Sequence, residues 1–175
     1  MAVIFNADPQ IYPLALASMG GLNFNPLYVD YSNPTFLNMD YSGVWDPLKV
    51  VYPEPYNDTQ WIWVNITAGT GYGHPIHLHG HDFAIISNTT VGGPLNLKNP
   101  PRRDVVIPNK YGDTVIAFKA DNPGTWLMHC HIAFHASFGL AMQFLENKQL
   151  AVERWNPEGP GRNDIKEAQR VCDNW

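Results

Sequence analysis

All seven histidines of this chain fall in two short stretches, and one of its two cysteines lies inside the second. "GHPIHLHGHDF" carries His74, His77, His79 and His81; "HCHIAFH" carries His129, Cys130, His131 and His135. Imidazole nitrogen and thiolate sulfur are the donors that late first-row transition metals favour. Side chains alternate faces along a strand. In "HCH", His129 and His131 therefore point one way and Cys130 the other, and the same rule puts His77 and His79 on one face. The spacing predicts two metal sites back to back. One contains Cys130 and faces the domain interior; the other is made of histidines alone and faces outward.

The inner site needs imidazole partners for its thiolate. His135 follows Cys130 by five residues, so a loop can fold both onto one metal. His74, ahead of a "PIH" turn, can add a second imidazole from a neighbouring strand. Two histidines, one cysteine and a weak axial position make the donor set of a blue-copper centre. The axial group should follow His135 on the same loop, where Leu140 stands. Leucine cannot coordinate, so the copper would be three-coordinate and its reduction potential raised. Met142 is expected to need a break in strand alternation to take that place. The outer site offers His77, His79, His129 and His131, which suit copper, zinc or iron. Sharing one strand, Cys130 is covalently joined to His129 and His131, a short path for electrons between two centres. A structural zinc site of one cysteine and three histidines is the plainer alternative, but it leaves at least two ligand-type residues without a role. His81 is expected to pack or to support a ligand rather than to bind metal. Cys172, in a polar tail, is expected to be half of a disulfide or an inert thiol, unpaired with Cys130. Arg102, Arg103 and Asp104 are expected to form a solvated turn with an ion pair.

The elements that must position these residues read as all-β. The chain has 175 residues, 45% hydrophobic and 15% charged, with 15 Pro and 14 Gly. That is enough for one domain with a core, cut into many short segments. "TQWIWVNIT", "RDVVIP", "DTVIAFKAD", "GTWLMHCHI" and "LAMQFLE" read as strands. "PLYVDYSNPTFL" reads as a strand entering a loop, and "HPIHLHGHDFAIIS" as a loop feeding a strand. "PEPYND" and "NKYGD" are turns or loops, and "NTTVGGPLNLKNPPRRD" is an extended loop. "GPGRNDIKEAQRVCDNW" reads as a loop and a short helix capped at Asn163 or Asp164. The whole predicts about eight strands in a Greek-key sandwich or barrel with a short C-terminal helix. Residues 1–25 form a lead-in segment, 26–155 the domain, and 156–175 the loop and helix. The net charge of −5 and the absence of a basic stripe argue against nucleic-acid binding. No apolar run is long enough to span a bilayer. Sequons at Asn57, Asn65 and Asn88 point to a secreted protein, although the N-terminus does not resemble a signal peptide.

"HPIHLHGHDF" and "HCHIAFHASFGL" resemble the two copper motifs at the C-terminal end of multicopper oxidases, laccases above all. "NPPRRDVV", "DNPGTWLMHCHI" and "VDYSNPT" resemble the laccase pattern too, so the likeness runs from about Tyr28 to Trp175. Ala133 and Leu140 make the ascomycete fungal laccases the nearest likeness. The resemblance implies a cupredoxin-like fold. It also implies that His74, Cys130 and His135 bind a type 1 copper, with Leu140 in the non-coordinating axial place. By the same likeness His77 binds the type 2 copper, and His79, His129 and His131 bind the type 3 pair. His81 is no ligand in the family. His135 would meet the reducing substrate, a phenol or aromatic amine. Electrons would cross Cys130 to His129 and His131, and dioxygen would be reduced to water at a trinuclear cluster. A secreted glycoprotein of the kind used in lignin degradation is implied as well.

Family members hold four coppers and have three cupredoxin domains, the first supplying further histidines through "HWHG"- and "HSH"-like motifs. This chain has neither motif. It is therefore expected to be the third domain, a fragment with the type 1 site complete, the trinuclear site half present, and the first and second domains as its missing partners. Cys172 resembles the cysteine that reaches back to the first domain. Two other functions remain open: a small blue-copper electron-transfer cupredoxin, which leaves the four outward histidines idle, and a ferroxidase of the same superfamily, which would carry acidic residues beside the type 1 histidines.

Overall fold

The computed structural model describes residues 27, 30–43, 45, 51–53, 61–67, 73–90, 92–109, 112–155 and 164–174. Among them are nine strands in two sheets. One sheet has the order β1 (Val51–Pro53), β9 (Ala141–Glu146), β8 (Gly124–Cys130), β3 (Ile76–Leu78), β6 (Val105–Val106). The other has the order β2 (Trp61–Thr67), β7 (Gly112–Lys119), β4 (Phe83–Thr90), β5 (Arg102–Arg103). Every pairing is antiparallel except β1 with β9, which is parallel.

The core lies between the sheets and follows strand alternation. Ile62, Val64 and Ile66 of β2 are buried while Trp61 on the opposite face is exposed. They meet Ile76, Leu78, Met128, Cys130, Met142 and Phe144 from the other sheet. Phe83, Phe118 and Phe144 are fully buried, and each contributes about 1.5–3 kcal/mol by leaving water. That apolar slab is what holds β3 and β8 side by side. A smaller cluster joins Met39, Leu145 and Ala151 with Phe36, Trp155 and Ile165. It docks helices α2 (Lys148–Trp155) and α3 (Asp164–Cys172) against the domain.

The long alternating segments appear as read: β2, β7, β8 and β9 occupy the expected stretches. Three differences are physical. β3 is a strand inside the stretch read as a loop, because it is paired on both edges, by β8 and by β6; three residues carry too little pattern to announce that. Arg102–Arg103 is a short strand on β4 rather than a turn, and the expected extended loop begins after Thr90. Helix α2 was not expected; it is short and polar, and Ala151, Val152 and Trp155 hold it by packing. In "PLYVDYSNPTFL", Thr35–Asn38 forms a single 3-10 turn. Tyr28, Val29, most of "PEPYND", Lys110–Tyr111 and the cap candidate Asn163 lie outside the described residues; Asp164 is the first residue of α3.

Candidate metal centres

β3 and β8 lie in register with Ile76 opposite Cys130, His77 opposite His129 and Leu78 opposite Met128. Directly opposed residues share a face. Ile76, Leu78, Met128 and Cys130 are buried inward, and His77 and His129 sit together on the other face. The two-faced arrangement expected from alternation is therefore built by one pair of strands.

On the inner side, His74 Nδ1 lies 3.2 Å from His135 Nδ1. Cys130 Sγ lies 3.7 Å from the first and 3.5 Å from the second. The centre of such a triangle is about 2 Å from each corner, close to the bond length of a first-row metal to these donors. The three form the only group of three or more potential ligands with mutually close donor atoms found among the described residues. His135 arrives on a single helical turn, α1 (Ala133–Ser137), rather than on a loop. His74 precedes β3 directly, where a turn was expected. Leu140 closes the circuit: its N–H donates to the His135 carbonyl and its own carbonyl accepts from the Cys130 N–H, both at 3.0 Å. Its side chain is buried in the same cluster as Cys130. Alternation does not exclude Met142, contrary to expectation. Leu140 and Met142 are two apart, and Met142 stands opposite Met128 on the inner face. What separates Met142 from the site is depth, since its partner Met128 is two residues from Cys130 along β8.

On the outer side the four expected histidines come together. His79 Nε2 lies 3.1 Å from His129 Nε2. The His77 ring is 4.8 Å from that of His79, 5.7 Å from His129 and 5.6 Å from His131. Main-chain carbonyls decide which nitrogen is left for a metal. His77 Nδ1 donates to the Asp104 carbonyl at 2.8 Å and His129 Nδ1 to the Cys130 carbonyl at 2.9 Å. Each ring then presents Nε2 with a free lone pair. The inner site converges on Nδ1 and the outer on Nε2.

Burial lowers the pKa of His74, helped by His135. Burial also lowers that of His79, helped by His129, His77 and His131. His129 is lowered by burial against the pull of the Cys130 carbonyl, with His77 and His131 adding to the fall. All three are held neutral, the form that ligates. Burial pushes the Cys130 thiol up, opposed by the Ile132 main chain, so a cation must drive off that proton when it binds.

His81 stands apart from both sets, as expected. Its Nε2 lies 3.1 Å from Glu146 Oε1, with both side chains almost fully buried, in close ionic contact rather than an aligned hydrogen bond. Burial alone would lower the His81 pKa; Glu146 and the His79 carbonyl outweigh it and raise it. Burial raises that of Glu146, against the pull of His81. Two contributors escaped the sequence reading. Asp104, expected in a solvated turn, supplies the carbonyl that orients His77, a main-chain role no side-chain motif signals. Glu146 is the one carboxylate in the apolar run "LAMQFLE", a visible anomaly. Cys130 and Cys172 are both free thiols, in keeping with the expectation that they do not pair with each other.

A family profile described as multicopper oxidase matches residues 25–150. Laccase-1 of Botryotinia fuckeliana is 40% identical over 176 residues, covering 95% of this chain and 30% of that protein. Oxidoreductase OpS5 of Beauveria bassiana is 42% identical over 151 residues, covering 82% of this chain and 26% of that protein. The crystal structure of the laccase from Botrytis aclada superposes with a TM-score of 0.71 at 37% identity, over 89% of this chain and 29% of that one. The chain thus spans less than a third of the length of the curated relatives it matches.

Proposed function

The chain belongs to the multicopper oxidase family as a laccase-type cupredoxin domain, and from that premise we propose that it is the third domain of an enzyme that oxidises phenols or aromatic amines and reduces dioxygen to water. Residues 26–155 are that domain, with 1–25 leading in and 156–175 closing it. The observation that carries the reading is the pairing of a cysteine–histidine triangle with an all-imidazole set across the same two strands.

His74, Cys130 and His135 hold the type 1 copper, His77 the type 2, and His79, His129 and His131 the type 3 pair. The donors fit: two imidazole nitrogens and a sulfur at the right spacing inside, and the Nε2 atoms of His79 and His129 facing one another outside. Copper, when bound, supplies the one-electron steps and the dioxygen chemistry. The residues do the rest. Leu140, buried in the same apolar cluster as Cys130, would offer a metal there hydrocarbon and no further donor. With Nδ1 turned inward, His135 leaves its opposite ring edge for the electron donor. Phe134 and Phe138, both exposed and packed edge to face at 5.5 Å, flank it with aromatic surface for an aromatic substrate. This favours the laccase reading over the ferroxidase one, since α1 and the residue that ends it carry phenylalanines where an iron site would need carboxylates. Cys130 and His129 are joined twice, through the peptide bond and through the Cys130 carbonyl held by His129 Nδ1. The seven histidines are all accounted for, so the remaining ligands of a trinuclear cluster come from the other domains of a longer protein. Its secretion and glycosylation complete the proposal; of the sequons described, Asn88 is exposed, whereas Asn65 has its Oδ1 buried.

Loading the purified chain with Cu(II) tests this. An intense thiolate charge-transfer band, narrow hyperfine splitting and one tightly held copper at the inner triangle are expected. Copper uptake without that band would remove the type 1 assignment.

A further inference from the structure

His79 is held differently from His77 and His129. It lies just past the end of β3, and its ring, unlike those of His77 and His129, has no carbonyl partner at Nδ1 among the described residues. Its N–H donates to the Leu127 carbonyl at 2.9 Å. Gly80 follows at φ 73°, where a Cβ would come within 2.5 Å of the Trp126 ring, so the turn is forced and cannot by itself choose where His79 points.

We propose that the buried His81–Glu146 pair and the half-buried Asn122 form a latch that aims the His79 imidazole at the outer site by fixing the two carbonyls on either side of its turn. His81 Nδ1 donates to the His79 carbonyl at 3.1 Å. The far side of the same ring rests on Glu146, at the end of β9, and is packed by Phe118 and Trp126. Asn122 Nδ2 donates to the Gly80 carbonyl at 3.1 Å. Asn122 is itself fixed twice: its carbonyl accepts from Trp126 Nε1 at 2.6 Å, and its Oδ1 accepts from Arg154 Nη1 of α2 at 3.1 Å. The turn is thereby tied to β9, to the segment ahead of β8, and to α2.

A buried ion pair is a poor way to gain stability, because apolar residues of the same volume do as well or better. Its distinct capacity is direction: an imidazole clamped at one nitrogen must present the other at a fixed place. These are positioning residues, and their importance for metal rests on the reading above that His79 is a ligand.

The double variant His81→Phe with Glu146→Leu replaces the pair with apolar groups of similar size, and Asn122→Asp keeps the Arg154 contact while losing the donor to Gly80. In the metal-free chain, hydrogen exchange at the His79 amide should speed by about tenfold in each variant, with the Cys130 amide unchanged and the double variant melting no lower than the parent. On titration with Cu(II), the outer set should bind about tenfold to a hundredfold more weakly, while the Cys130 charge-transfer band is unaltered. Unchanged exchange at His79 in a folded variant would overturn the latch, and so would equal loosening at His79 and Cys130. Should the double variant not fold, Asn122→Asp decides alone. A parent chain that takes no copper on its outer face would defeat the ligand assignment, yet the exchange comparison would still decide the latch.

Discussion

Cys130 and His129 are neighbours on β8, yet they serve sites of opposite construction. On the inner side every donor is fixed by an element of this domain: a strand for Cys130, one helical turn for His135, and the entry to β3 for His74. The three donor atoms already surround a point. On the outer side four rings gather at the end of the same strands, with the Nε2 atoms of His79 and His129 facing each other. The first is a closed group of three donor atoms within this chain, and the second is a gathering of four rings. One pair of strands can build both because alternation separates their side chains while the backbone keeps them a residue apart.

The sharpest way to break the comparison is Cys130→Ser. The thiolate band of the copper-loaded chain should vanish entirely while copper binding at the outer set persists; loss of both would mean that the sites are not independent. His129→Ala works from the other side. It should weaken copper at the outer set by at least about tenfold, since losing a ligand exceeds losing a contact that supports one, and should leave the inner band in place, as read by titration and optical spectra. Leu140→Met offers a sulfur in the axial direction. The band should survive and the reduction potential fall, which redox titration would measure; an unchanged potential would place the residue out of reach of the metal.

The smallest effect is on acid stability without metal. The pKa values of His79 and His129 are lowered on folding, chiefly by burial. The unfolded chain therefore takes up more protons than the folded one as pH falls below about 6.5, the ordinary histidine value. Stability is lost through that window, down to the folded pKa. His81 and Glu146, both raised, act in the opposite sense. Replacing His79 and His129 together by Gln should make the melting temperature fall less steeply between neutral pH and pH 5. An unaltered slope would show that neither ring is buried enough to matter.

Long alternating strands were legible because period-two patterning over seven or eight residues is a local property, as in β2 and β7. β3, with three residues, and α2, with eight, were not, since packing against neighbours rather than their own pattern holds them. At the sites, His74, Cys130, His135 and the four outer histidines were all named from motif and alternation. Leu140 was expected beside the inner donors and is buried in the same cluster as Cys130, whereas the argument against Met142 misjudged which residues share that face. Asp104 and Asn122 were invisible in their roles, because they act through a carbonyl or on one.

The sequence alone determined which donors exist and that they divide between two faces, since chirality and pleat impose alternation wherever a strand forms. Only the tertiary structure decided which nitrogen each ring offers. His129 takes the carbonyl of its neighbour Cys130, but for the others the choice depends on partners far along the chain: the Asp104 carbonyl 27 residues from His77, and His135 set 61 residues from His74. A ring has two chemically similar nitrogens, and nothing in its own sequence position distinguishes them until the fold brings a carbonyl to one.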